Sequence, residues 1–185
     1  YLYTQTGQLL RKLTNTNYEV TDVYGYDERT GNVYYQAAGK NPMNREVYVT
    51  YKNGKTECLS GNEGWNSAVF STNYKYFVNI WSDSNTPFVY STYDNGGKKL
   101  ASLIDNNQLK QKLAAYKLSK KEFFSFTTSE GVKLNGVMIK PANFDASKKY
   151  PVIMWQYSGP GSQQVVNSWN IGSMGQGALL DEYLA

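Results

Sequence analysis

The chain has 185 residues, about one domain's worth, and 41 % of them are hydrophobic and 15 % aromatic, enough for a real core. Nineteen basic against fifteen acidic residues leave a net charge of +4. The basic residues are scattered apart from pairs such as Lys98-Lys99, Lys120-Lys121 and Lys148-Lys149, so no basic stripe interleaved with stacking positions marks a nucleic-acid partner.

Two further absences in the composition narrow the chemistry. Cys58 is the only cysteine, which excludes an intrachain disulfide and a cysteine metal cluster. There is no histidine, and a serine or cysteine nucleophile of triad type normally needs an imidazole beside it. A Ser-Lys arrangement finds no support, because Ser71 to Lys75 misses the S-x-x-K spacing by one. Neither histidines nor clustered carboxylates stand at ligand spacing, so no metal or cofactor is expected. No apolar run approaches the roughly 18 residues of a membrane span, and Tyr1 starts inside an alternating segment with no leader pattern before it. The expectation is an internal segment of a longer protein.

Seventeen tyrosines among β-branched and aromatic alternations point to sheet. Leu2-Tyr3-Thr4, a turn at Thr6-Gly7-Gln8, and Leu9 to Leu13 read as strand, turn, strand. Asp22 to Tyr26 is a strand followed by Asp27-Glu28-Arg29-Thr30-Gly31-Asn32, a turn of residues that bond their own backbone or accept positive φ. Val33 to Ala37 and Glu46 to Tyr51 are the next strands, and Asn53-Gly54 is a hairpin signal leading into Thr56 to Leu59. The pattern then recurs: Asn66 to Ser71, Tyr76 to Trp81, a Ser/Asp/Asn turn, Phe88 to Tyr93, Asn95-Gly96-Gly97, and Lys98 to Leu103. Four strands per repeat of about 40 to 45 residues is the signature of a propeller blade. A β-sandwich of the same eight strands is the rival, and two blades cannot close a ring.

Helical spacing appears at Leu109, Leu113 and Tyr116, with Asp105 and Gln108 placed as a capping box; this short lysine-rich stretch reads as a surface connector. Glu122 to Thr127 and Val132 to Lys140 form a hairpin around Ser129-Glu130-Gly131, with Phe124, Phe126, Leu134, Val137 and Ile139 available for a core. Pro141 ends the second strand because it cannot donate to the ladder. After the polar loop Asn143 to Lys149, Val152-Ile153-Met154-Trp155 is a continuous apolar run, the pattern of a strand covered on both faces in an α/β sheet. Ser158-Gly159-Pro160-Gly161 then turns the chain out of the sheet. Tyr157 is thereby expected at the carboxyl end of a buried strand, where open α/β sheets bind ligands, or else as a plain cap on the core. The last segment mixes Gly172, Gly175 and Gly177 with Ala178-Leu179-Leu180 and Tyr183-Leu184 and can begin a covering helix.

The string K-K-Y-P-V-I-M-W-Q-Y-S-G-P-G-S-Q from Lys148 to Gln163, the preceding P-A-N-F-D-A-S-K-K, and the order of two blades, connector, hairpin and apolar strand are similar to the prolyl oligopeptidase family of serine peptidases, in its dipeptidyl peptidase IV branch. The tyrosine- and asparagine-rich composition resembles that of secreted or periplasmic bacterial members. The resemblance implies a mainly β chain: the last blades of an eight-bladed β-propeller over 1–103, a helical connector over 104–120, and the start of an α/β-hydrolase domain over 121–185. It implies a serine exopeptidase that releases N-terminal dipeptides with proline or alanine second, a peptide partner, a homodimer of the full-length protein, and a periplasmic or extracellular location.

In that family the tyrosine of the Y-x-G-P string donates its hydroxyl to the oxyanion, and the matching position is Tyr157. A phenol is a neutral donor at pH 7. Placed where negative charge develops, it favours the transition state over the ground state. The chain departs from the family in lacking a G-x-S-x-G elbow, the triad aspartate and histidine, and the propeller glutamates that hold the substrate's amino group. Ser158 and Ser162 therefore read as turn residues, and these 185 residues are expected to be inactive by themselves. The rival reading is a non-catalytic β-propeller module that binds protein or peptide; a downstream elbow followed by Asp and His separates the two.

Overall fold

The structure, a computed structural model, describes residues 1–157, 159–169 and 178–185. Two compact units divide the chain: Tyr1–Ser82 with Phe88–Asp105, and Asp83–Pro87 with Asn106–Ala185.

The first unit is built from antiparallel sheets. A short hairpin pairs β1 (Leu2–Tyr3) with β2 (Leu9–Arg11). Then come two four-stranded meanders in which each strand pairs with its sequence neighbours. The first contains β3 (Val20–Asp27), β4 (Asn32–Ala37), β5 (Glu46–Thr50) and β6 (Thr56–Cys58). The second contains β7 (Trp65–Phe70), β8 (Tyr76–Asp83), β9 (Thr86–Asp94) and β10 (Lys99–Ile104). The turns sit where the residue types demand: Gly31 and Gly54 take φ of 73° and 87°, and the Asp27 carboxylate accepts from the Arg29 backbone and the Thr30 hydroxyl.

The period-two alternation of the central strands sends side chains to two separate cores. Tyr34, Val47 and Val49 face one way and join Leu59, just after β6, and Ala68, Phe77 and Tyr93 of the second meander, while Val33, Tyr35, Ala37 and Tyr48 face the other. Burial of the valine, leucine and phenylalanine side chains among them stabilises by about 1.5–3 kcal/mol each. Aromatic rings continue the first core, with Phe70 lying 4.6 Å from Tyr34 and 4.9 Å from Phe77 between centroids, and Phe77 lying 5.2 Å from Tyr93. Beside them runs a buried polar chain. Asn79 Nδ2 donates to Asn66 Oδ1 (2.9 Å), Asn66 Nδ2 donates to the carbonyl of Arg45 (2.9 Å), and Gln36 Nε2 donates to the carbonyl of Asn66 (2.6 Å). These bonds matter because a buried amide left unpaired costs about 1–3 kcal/mol.

After Asp83–Pro87, the second unit continues with α1 (Asn107–Ala114), none of whose residues is buried. The N-cap position is Asn106, in the left-handed region (φ 54°) and without a side-chain cap bond, one residue after Asp105. Next comes the in-register hairpin of β11 (Lys121–Thr127) and β12 (Lys133–Ile139), closed at its open end by a 2.6 Å ion pair of Lys140 with Glu122.

Two expectations fail in this unit. Phe124, Phe126, Leu134 and Val137 are exposed instead of forming a core, and the run 152–155 belongs to no strand among the described residues, with Val152 87 % and Met154 85 % exposed. The reason is common to both. A parallel central strand exists only through its neighbours' backbone groups, and among the described residues β11 and β12 pair only with each other. The last element is α2 (Ala178–Leu184). Ser158, Gly172, Gly175 and Gly177 lie outside the described residues.

Candidate functional site

Tyr157 follows the apolar run 152–155, and its side chain is exposed, the residue retaining 58 % of its accessible surface. It does not cap a core. Its ring lies across Gly159: a Cβ on that glycine would sit 2.5 Å from Tyr157 Cε1 and 2.8 Å from its hydroxyl oxygen, closer than real Cβ atoms approach. Only glycine leaves room for the ring there. The turn beyond is closed by the Ser162 amide donating to the Gly159 carbonyl (3.1 Å), with Gly161 at φ 73°. Ser162 is exposed, and its hydroxyl accepts from Gln164 Nε2 (2.9 Å), the geometry of a turn residue. Trp155 Nε1 donates to Gln164 Oε1 at 3.4 Å, tying the run before the turn to the segment after it.

The approach to this loop is also built. Phe144 and Tyr150 stack with centroids 5.2 Å apart, and the Tyr150 hydroxyl accepts from the Asp145 amide (3.0 Å). The Asp145 carboxylate takes the Ser147 hydroxyl (2.7 Å) and amide (3.0 Å), and these bonds hold its pKa below the usual carboxylate range. Pro141 and the polar loop thus form an ordered turn leading to residues 151–157.

A sequence reading gives no hint of the residues that flank this segment. Lys121, at the start of β11, has its backbone bonded on both sides by one side chain. Its amide donates to Asn85 Oδ1 (3.0 Å) and its carbonyl accepts from Asn85 Nδ2 (3.4 Å). Asn167, after the loop, accepts the Ser84 amide on its Oδ1 (2.9 Å). Burial pushes the Lys121 amine down despite the charges of Asp181 and Glu182. Asn85 sits in a Ser/Asp/Asn turn that reads only as a hairpin connection.

The arrangement offers an exposed phenol on a glycine-bounded turn and no acid, base or nucleophile positioned against it among the described residues. Comparison with known proteins supplies the context. A sequence model of the dipeptidyl peptidase IV (DPP IV) N-terminal region matches residues 1–88. The crystal structure of Porphyromonas gingivalis dipeptidyl peptidase 4 superposes on 91 % of the chain with a TM-score of 0.85 and 43 % sequence identity. The chain belongs to the dipeptidyl peptidase IV family. Dipeptidyl peptidase 4 of Trichophyton equinum is 34 % identical over 175 residues, and that of Trichophyton rubrum is 33 % identical over the same length. These matches cover 92 % of the chain, the Tyr157 segment among them in extent, but only 22 % of either fungal protein. The solved Porphyromonas protein is likewise covered over 24 % of its length. Membership in the dipeptidyl peptidase IV family therefore rests on both units, the paired meanders and the hairpin-and-loop unit alike.

Proposed function

We propose that this chain is part of a serine-type dipeptidyl peptidase that removes N-terminal dipeptides carrying proline or alanine second. The two meanders are the last blades of a β-propeller, and residues 121–185 begin an α/β-hydrolase domain. Tyr157 is the oxyanion donor. The observation that carries this reading is the exposed Tyr157 ring seated on Gly159 in a Y-x-G-P turn, within a chain whose relatives are dipeptidyl peptidases.

The chemistry follows from the phenol. A serine supplied elsewhere in the full-length protein attacks the substrate carbonyl, and its oxygen gains negative charge. The Tyr157 hydroxyl donates a hydrogen bond to that oxygen and weakens its grip again when the carbonyl reforms. A donor that acts chiefly in the transition state raises kcat with little change in KM. The 185 residues hold no histidine, so this segment by itself performs no acyl transfer.

The test is a Tyr157→Phe substitution in the full-length protein, assayed on an Xaa-Pro anilide. Loss of one such donor costs about 3 kcal/mol, so kcat should fall about a hundredfold with KM nearly unchanged. A wild-type kcat, or a loss confined to KM, overturns the assignment. A full-length protein that neither cleaves the anilide nor reacts with a fluorophosphonate would point instead to a non-catalytic propeller module. Periplasmic or extracellular placement and a homodimer belong to the same proposal, and fractionation and light scattering test them.

A further inference from the structure

The turn between β8 and β9 does more than reverse the chain. Its residues Asp83–Pro87 belong to the compact unit that carries the Tyr157 loop. The turn is stiffened from within, since Asp83 accepts the Asn85 amide on Oδ1 (2.8 Å) and the Thr86 hydroxyl on Oδ2 (3.0 Å). From this stiff base two side-by-side residues reach two segments far apart in sequence. Asn85 takes both backbone groups of Lys121, as a neighbouring strand would, although it is a single amide side chain. Ser84, which is buried, gives its amide to Asn167, whose neighbours Val166 and Ser168 are buried too.

Lys121 and Asn167 bracket the loop. Lys121 pairs with Ile139 across the hairpin, and Lys140 closes the hairpin end with Glu122, so the start of the segment leading to Tyr157 is rigidly referred to Lys121. On the other side only nine residues lie between Tyr157 and Asn167, and the turn at Gly159 shortens that path further. Among the described residues the run 152–155 has no ladder partner, so its position depends on what holds its two ends.

We propose that Ser84 and Asn85 form a two-point anchor that positions the Tyr157 loop, by holding the chain ahead of it at Lys121 and behind it at Asn167. Asn85 is then a positioning residue acting through Tyr157. This inference rests on the reading of Tyr157 as oxyanion donor. The chemistry needs the anchor because a displacement of about 1 Å at a reacting group costs on the order of a hundredfold in rate.

The experiment uses the full-length protein and the exposed residue Asn85, whose substitution leaves the cores intact. Asn85→Ala should lower kcat on an Xaa-Pro anilide about tenfold, with KM within about twofold. Asn85→Asp, which keeps the oxygen that accepts the Lys121 amide but sets a second oxygen against the Lys121 carbonyl, should restore only part of the rate. Asn85→Ala combined with Tyr157→Phe should be no slower than Tyr157→Phe alone, because the two act on one donor. Hydrogen exchange supplies a readout independent of activity: Asn85→Ala should speed exchange at the Lys121 and Ser162 amides. A wild-type kcat in Asn85→Ala, full additivity with Tyr157→Phe, or unchanged exchange at Ser162 overturns the anchor. If Tyr157→Phe itself keeps the wild-type rate, the oxyanion reading fails, and exchange at Ser162 then decides the anchor alone.

Discussion

The hydroxyl oxygen of Tyr74 occupies the space beside Gly25 that any other residue's Cβ would need, 2.0 Å from where that atom would lie. Gly25 belongs to β3 and has φ 151°; Tyr74 belongs to the β7–β8 turn, has φ 53°, and stacks on Tyr34 with the ring planes 2° apart and centroids at 5.3 Å. One glycine thus permits the ring contact that links the first meander to the turn of the second. Gly25→Ala should destabilise the chain by about 1–3 kcal/mol through overpacking, with the disfavoured φ adding to the cost. Urea unfolding followed by tryptophan fluorescence measures it. The loss should be smaller in a Tyr74→Phe background, which removes the nearest atom; equal losses in both backgrounds would show that the hydroxyl is not the obstacle.

Asp27 gives an acid-dependent contribution. Its carboxylate is buried and accepts from the Arg29 guanidinium, the Arg29 amide and the Thr30 hydroxyl, and the Arg29 bonds above all hold its pKa below the usual carboxylate range. A depressed folded value means the stabilisation is complete above the unfolded value of about 3.9 and fades as pH falls below it through the folded value. Asp27→Asn should therefore lower the urea midpoint at neutral pH, and the difference from the unsubstituted chain should shrink as the pH is taken below 4. A difference of constant size across that range would contradict the role given to the charge.

The tyrosines predict the opposite limb. Burial pushes the Tyr18, Tyr24 and Tyr51 phenols up to about 12, with the Glu57 carboxylate that accepts the Tyr51 hydroxyl (2.7 Å) adding to the last. Tyr48 is raised by burial and by its hydrogen bond to Glu46. Raised folded values favour the neutral phenol, so this stability is complete below the unfolded value of about 10 and is lost as pH climbs toward 12. Phenolate absorbance should show these four still protonated at about pH 11, with their ionisation coinciding with loss of the near-ultraviolet circular dichroism. Ionisation of all seventeen tyrosines in one step near 10, with the fold intact, would refute it.

Gly159→Ala tests the seat of the candidate donor without touching the donor. The added methyl would meet the Tyr157 ring at 2.5 Å, so the ring must swing away. In the full-length protein kcat on an Xaa-Pro anilide should drop by an order of magnitude or more, about tenfold to a hundredfold, while the thermal midpoint changes little because the ring is exposed. Unchanged kcat would mean that the ring's resting place has no bearing on the reaction.

Strands and turns were legible because their causes are local. Alternation marks β4 and β5, Asn53-Gly54 marks its hairpin, and Pro141 marks the end of β12, each through the conformational limits of a few neighbouring residues. The Tyr157-Ser158-Gly159-Pro160 string likewise announced a phenol before a turn. At α1 the spacing of Asp105 and Gln108 located the helix start to within a residue, and the left-handed backbone of Asn106 sets where the helix begins.

Composition and local periodicity thus determined the strands of both meanders and of the β11–β12 hairpin, where they reverse, and that no imidazole chemistry resides in these 185 residues. Only the folded chain decided that Tyr34 and Tyr35 point into two different cores, that Tyr74 closes on Gly25, that Asn85 clasps Lys121, and that 152–155 has no ladder partner among the described residues. The physical reason is that an apolar run states only what a segment must be covered by. Which distant residue covers it, or fails to, is settled by contacts whose partners lie tens of residues away and share no local pattern with it.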